Sequence, residues 1–437
     1  MSLVESEPLI GAVDQRDAER RLVRKLDRHL GVLVLVFLFC HIDRNSYATA
    51  RLGGLERDLH MSGTSYATGM AVFIFAYMLA QVPVSHRFDR VVRPARFMAV
   101  TVLAWGCVSF SMALAQSYAH VLICRFALGL VESSFYPMGL VLAGRWFTAR
   151  ERGKRIAVFQ AAEFAAPGIS AALAAGVFAL FDDSLGIRPW RWLYVVIGVL
   201  TALLAVPTWL LLPDLAHNTR WLTAADQALI EARNPEPEPG RRTASVWAVL
   251  REGRLWLLVL SALLCNLGNS IGQYYPTVAR TLAGSRDAAL LISLPPFLLA
   301  AAIGWLSARG SDRSGRHVSH AIGLSGLGVV AQLTMVAIPV EHVVLRYVCL
   351  VAMTQARAAI VPIWAFTIEL YRGRPGSSVA LATINMLAQL GGLIGSYSWP
   401  TSHGPAYSAS FLTCAGSLTV SALLLFAVDR ITLRGAT

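Results

Sequence analysis

Two stretches carry charge where the surrounding sequence is apolar. "FLFCHIDRNSYATARL" (Phe37 to Leu52) continues an apolar run from Gly31 and sets Asp43 beside Arg44; "CRFALGLVESSFYP" holds Arg125 and Glu132. Hydrocarbon excludes ionised groups unless they are paired or wetted, so such residues inside an apolar run read first as functional. On a helix, Arg125 and Glu132 are two turns apart on one face, about 10 Å along the axis. Gly129 between them leaves room for a neighbour to come close. An arginine offers a planar fork that binds a carboxylate bidentately. A carboxyl group in an apolar surround has a movable pKa, raised by desolvation and lowered by a nearby guanidinium. An anion competing for that arginine would release the acid to take a proton. Arg44 and Arg125 are therefore candidates for binding an anion, and Glu132 and Asp43 for handling a proton. A purely structural ion pair is the competing account, and Arg44 is near enough to a helix end to snorkel outward.

Further polar residues lie in other apolar runs. Glu163, in "FQAAEFAAPG", is a candidate for an inner cavity or for pairing with a loop arginine. Arg357 falls near the middle of its run and would suit an anion. "NLGNSIGQYYP" offers Asn266, Asn269, Gln273 and Tyr274, and "NMLAQLGG" offers Asn385 and Gln389 on one helical face. Tyr47 and Tyr77 are their counterparts earlier in the chain. Amides and hydroxyls orient ligands in cavities, and they also join helices to one another. Two loop motifs, Asp89–Arg90 and Asp312–Arg313, read as gates whose charges pair in one state and part in another, or as determinants of orientation alone.

The elements that must position these residues follow from composition and length. The 437 residues are 55% hydrophobic and only 15% charged, against about 25% charged for a soluble protein. The apolar residues come in runs of about 20, the length that crosses a bilayer as a helix. Twelve such spans are predicted, at 30–51, 66–85, 97–115, 119–142, 156–179, 191–212, 255–279, 287–308, 317–339, 344–368, 378–400 and 406–428. A β-barrel would need alternating strands, which "LYVVIGVLTALLAVPTWLLL" does not supply. The fold class is thus an all-α membrane protein. The net charge of +12 would point to nucleic acid in a soluble protein. Here the arginines cluster in alternate short loops, such as "RFDRVVRPAR" and "RERGKR", and place those loops and both termini in the cytoplasm.

Residues 1–29 form a cytoplasmic segment in which "RRLVRKLDRHL" reads as a basic amphipathic helix leading into the first span, with no cleavable signal peptide. Residues 30–212 and 255–428 form two six-helix bundles, joined by a cytoplasmic linker at 213–254 and followed by a tail at 429–437. Within the linker, "TAADQALIEARN" opens on a capping-box pattern, Thr223 to Asp226, and "PEPEPG" ends any helix. The two Asp-Arg loops occupy equivalent places in the two halves, the mark of a parallel repeat with a ligand site between the halves near mid-membrane. The six cysteines are scattered, with no C-x-x-C and no histidine at ligand spacing, so neither a metal nor another cofactor is expected. No G-x-x-x-x-G-K-[ST] loop occurs, which argues against an ATP-driven pump, and no enzymatic activity is expected.

The N-terminal half resembles the major facilitator superfamily and, within it, the anion:cation symporters of phthalate, tartrate, sugar acids and allantoate. The resemblance rests on "RKLDRHL", "DRNSYATARLGGLERDLHMSG", "FAYMLAQVPVS", "AWGCVSF", "CRFALGLVESSFYP", "RWFTARERGKRIA", "WRWLYVVIGV" and "LPDLAHNTRWLT". It implies two pseudo-symmetric six-helix bundles and a monomer in a cell membrane, bacterial inner or fungal plasma. It implies alternating-access import of a small organic anion with H⁺, without nucleic acid as a partner. It also implies the same roles for Arg44, Arg125, Asp43 and Glu132, and favours Asn385 and Tyr77. The alternative function is export of organic acids or drugs by proton antiport or facilitated diffusion; a third is a sensor that moves nothing.

Overall fold

A computed structural model describes residues 6–61, 64–88, 93–135, 138–139, 142, 146–181, 184–212, 219, 221–233, 246–371 and 377–434. Long helices dominate it: α1 (Ser6–Leu52), α2 (Ser65–Phe88), α3 (Pro94–Met112), α4 (Tyr118–Glu132), α5 (Ala149–Phe181) and α6 (Pro189–Leu211), then α7 (Gly253–Leu282), α8 (Arg286–Ser314), α9 (His317–Ala337), α10 (Val343–Leu370), α11 (Ser377–Ser396) and α12 (Ser408–Arg434). Among the described residues there is no strand. Nine of these helices are long and apolar enough to cross a membrane; α2 is apolar over the shorter stretch Ser65–Gln81. The chain is a multi-pass membrane protein. Its outward faces carry Ile123 at 68% exposure and Val344 at 78%, tolerable only where lipid takes the place of water.

Local chemistry explains the departures from straight helices. The basic segment before the first span does not form a separate element. Nothing between Ser6 and Leu52 breaks the helix, so α1 runs 47 residues. Helix α7 breaks at Asn269–Ser270, where the Asn269 amide donates to the Cys265 carbonyl at 2.9 Å and takes up an end-of-helix acceptor. Helix α10 tightens to 3-10 geometry over Gln355–Ala359, the turn that carries Arg357. Helix α8 ends on Gly315 at φ 63°, a left-handed cap that glycine adopts without a Cβ clash.

The packing is twofold. In the first half α1 packs on α5 and α6, α2 on α4, and α3 on α6; in the second, α7 packs on α11 and α12, α8 on α10, and α9 on α12. Each contact recurs six helices later. The halves meet through α2 with α11, α5 with α8, and α1 with α7. Glycine permits the tightest approaches: a Cβ on Gly129 would collide with the Phe73 carbonyl and Ala76, so the neighbour admitted there is helix α2.

The apolar core is distributed unequally along the membrane normal. Toward the outer end one cluster joins both halves, with Tyr47, Tyr66 and Phe178 packed in the same body as Tyr274, Phe297 and Trp399. Toward the cytoplasmic end the core separates into one cluster from the first half and another from the second. Among the described residues the two halves therefore share one core at the end that carries Tyr47 and Trp399 and keep separate cores at the other.

The cytoplasmic side of the first half is tied by a set of ion pairs. Arg155 grips Asp27 bidentately, Lys25 meets Asp226 at 2.8 Å, and Arg233 pairs with Glu151. Thr223 and Asp226 exchange the two bonds of the capping box, and Trp221 stacks on His29 at 3.8 Å. The linker helix Ala224–Arg233 is thereby fastened to α1 and α5.

Candidate functional site

Helix α1 presents an open face that ascends from the cytoplasm. Asp27, Gly31, Val34 and Leu38, with Arg155 and Val158 of α5, line a recess of about 550 Å³. Steps of three and four residues carry the same face up to His41 and Asn45, both only half-buried. Arg44 lies beside them, its side chain 23% exposed.

At this level Arg44 reaches α4. Its Nε donates to Glu132 Oε2 at 2.6 Å, and the Glu132 side chain is 1% exposed. The Cys40 thiol also donates to Oε2, at 3.4 Å. The second oxygen, Oε1, is buried without a partner. The guanidinium sits over Tyr77 at 4.6 Å and Phe73 at 5.3 Å from the ring centres. A cation–π platform holds such a group in place while leaving its in-plane N–H donors free.

Asp43 points elsewhere. Successive residues on a helix are about 100° apart, so Asp43 cannot share the direction of Arg44. It faces α3, where Trp105 Nε1 donates to one oxygen and Ser109, at 2.9 Å, to the other. Ser46 adds a long contact at 3.4 Å. Arg125 is likewise interior to the first bundle and 1% exposed. It donates to the Tyr194 hydroxyl at 3.2 Å and lies 3.9 Å over the Tyr47 ring, with its Nε unpartnered. The four charged residues read as one cluster from sequence thus divide into two layers. Arg44, partly exposed, holds the buried Glu132; Asp43 and Arg125 form a second, fully buried layer and make no ion pair within 4.0 Å among the described residues.

Arg357 of α10, from the second half, and Glu163 of α5, from the first, are half-buried and make no hydrogen bond or ion pair among the described residues, yet they are within electrostatic reach of each other. Asn385 and Gln389 on α11 are half-buried with no hydrogen bond among the described residues. Gln273 donates to the Gly392 carbonyl at 3.4 Å while its Oε1 is buried and unpartnered. Asn266 is spent on the Ala388 carbonyl, 2.9 Å away. Tyr274 and Tyr47 are in the outer closure: Tyr274 donates to the Ser396 carbonyl, and Tyr47 stacks on Tyr66. Asp312 and Arg313 are exposed and unpaired among the described residues; Asp89 and Arg90 lie outside the described residues. No cluster of metal-ligating residues occurs among the described residues.

Sequence reasoning passed over several of these partners. Trp105, Ser109 and Tyr194 satisfy the second layer, and no spacing links them to Asp43 or Arg125. His41 could have been found, since it is one turn before Arg44 on the same face. Arg51 pairs with Glu56 at 2.8 Å and lies over Tyr66 and Tyr274, so it clasps the two halves at the outer end.

A model described as the Major Facilitator Superfamily matches residues 33–396. An MFS-type transporter, cnsO, of Penicillium expansum is 28% identical, covering 93% of this chain and 82% of its own. A protein of Agrobacterium vitis whose name proposes tartrate as its cargo is 28% identical over 95% of this chain and 92% of its own. A quinolone resistance transporter of Acinetobacter baumannii is 27% identical over 88% of each chain. The crystal structure of a bacterial homolog to the human lysosomal transporter Spinster, inward-facing and occupied, superposes with a TM-score of 0.69 at 14% identity, covering 92% of this chain and 96% of that one.

Proposed function

This chain belongs to the major facilitator superfamily, and from that premise we propose that it is a secondary carrier of a small organic anion, driven by H⁺ through alternating access. The observation that carries the reading is the Arg44–Glu132 pair: a buried carboxylate held by one partly exposed guanidinium at 2.6 Å, its second oxygen unpartnered. An incoming carboxylate takes the fork of Arg44, which prefers that geometry. Glu132 then loses its counter-charge in a low-dielectric site and binds a proton. Cargo and proton leave together toward the open cytoplasmic side, and the pair reforms. Tyr77 and Phe73 hold the guanidinium in place during the exchange. Asp43 and Arg125 act as positioning groups that fix the rotation of α1 and α4. Asn385, Gln389 and Gln273 are proposed to orient the cargo from the second half.

The test is Glu132→Gln in proteoliposomes. We expect loss of pH-driven accumulation with exchange of pre-loaded anion retained. Unchanged pH-driven uptake would remove Glu132 from the mechanism. The quinolone resistance relative favours a second reading, outward transport by proton antiport. The sign of the external pH change separates the two: substrate-induced alkalinisation accompanies symport, and acid-driven efflux accompanies antiport.

A further inference from the structure

Arg357 is a cation without a partner on the wall opposite Arg44. It makes no ion pair or hydrogen bond among the described residues, and its Nε is buried and unsatisfied. Its nearest acid, Glu163, approaches from the other half and also reaches Arg44 electrostatically. His41, half-buried on the same face as Arg44, is within electrostatic reach of both arginines. Cys265 and the Phe297 ring, 6.0 Å away, complete its surroundings. The guanidinium is pressed against bare backbone: a Cβ on Gly272 would stand 2.5 Å from Arg357 Nη1. An arginine held in a membrane interior costs free energy unless it is paired or wetted, so an unpaired one reads first as functional.

We propose that Arg357 is a second anion subsite, so that the cargo is a dicarboxylate bridging the halves, one carboxylate on Arg44 and the other on Arg357. This inference rests on the carboxylate reading of Arg44. The charges balance. In the empty cavity Arg44 and Arg357 are offset by Glu132 and Glu163. A dianion that takes both arginines frees both glutamates, each of which binds one proton. Two protons enter with each dianion, and the loaded carrier carries the same charge as the empty one. The bridging geometry also gives the cargo a stake in closure, because it draws α10 toward α1.

The experiment compares matched acids on the purified full-length protein by thermal shift at pH 7: malonate, succinate, glutarate and adipate against propionate, butyrate, valerate and hexanoate. A ligand that binds only the folded state raises its apparent stability. We expect at least one diacid to half-saturate at a concentration roughly tenfold or more below its monoacid partner, the scale of one charge-assisted contact. Arg357→Gln should erase that preference while leaving the monoacid response in place. Gly272→Ala, which keeps every charge and displaces only the guanidinium, should reduce it in the same direction and decides the matter if Arg357→Gln does not fold. Monoacids equal to diacids in the wild type, or a diacid preference that survives Gly272→Ala and any folded Arg357→Gln, would overturn the second subsite and leave the first standing. No response to any acid would overturn both.

Discussion

Asp43 and Arg44 show how much one residue step along a helix decides. Arg44 looks into the cavity and exchanges partners in the proposed cycle. Asp43 is 1% exposed and held by Trp105, Ser109 and Ser46. A buried carboxylate deprived of a donor bears the desolvation cost of the unmet acceptor, about 1–3 kcal/mol. Trp105→Phe, which keeps the ring but deletes the indole N–H, is therefore expected to destabilise the protein by about that amount. Thermal unfolding of the purified variant measures it, and an unchanged midpoint would mean that Asp43 does not depend on Trp105. Arg44→Lys tests the cavity side. Lysine keeps the charge but lacks the planar fork, so we expect anion affinity to fall roughly tenfold with stability little changed.

At the scale of elements, the linker helix is fastened to α1 and α5 by pairs that depend on pH. Burial raises Glu151, but the Thr148 backbone N–H and Arg233 outweigh it and hold the carboxyl below its usual range. Burial likewise raises Asp226, and Lys25 with the Thr223 bonds brings it down. A depressed folded-state value means that each carboxylate adds stability above its unfolded value, near pH 4. That contribution is lost as pH falls through the lower folded values. Hydrogen exchange of the linker helix should thus accelerate relative to α5 as pH drops below about 4, after correction for intrinsic rates; parallel protection of both elements would show that the clasp does not hold the helix. Asp226→Ala removes both an ion pair and a cap and is expected to cost about 1 kcal/mol locally. Between α2 and α4, Gly129 touches the Phe73 backbone. Gly129→Leu therefore forces apart the helices that carry Tyr77 and Glu132, and loss of transport with reduced expression is the expected outcome.

At the scale of the molecule, the outer seam holds the halves in the state described. Tyr66 donates to the Gln273 carbonyl at 3.0 Å, Tyr397 to Thr68 at 3.3 Å, and Arg51 is sandwiched near Tyr66 and Tyr274. Alternating access requires this seam to open. Cysteines at Thr68 and Tyr397, in a background where the exposed Cys107 is replaced by serine, should be joined by a short bifunctional thiol reagent. The joined protein is expected to retain anion binding and lose transport, with recovery on cleavage of the linker. Undiminished transport after complete cross-linking would show that the seam need not part.

Much of this was decided by sequence alone. Runs of apolar residues of bilayer length leave helices as the solution for a lipid-exposed backbone, arginine-rich loops set the orientation, and the capping box of Thr223 and Asp226 is local chemistry. The presence of charge inside the spans was equally plain. What tertiary structure decided is which charges meet. Helical periodicity places Arg125 and Glu132 on one face, but only the way α1, α3, α4 and α6 come together assigns Glu132 to Arg44, Asp43 to Trp105 and Arg125 to Tyr194. The same holds for Arg357, whose isolation depends on Gly272 of another helix and Glu163 of the other half. Contacts between helices far apart in the chain leave no local spacing to read, because they are set by how two half-molecules close on each other rather than by any one stretch of residues.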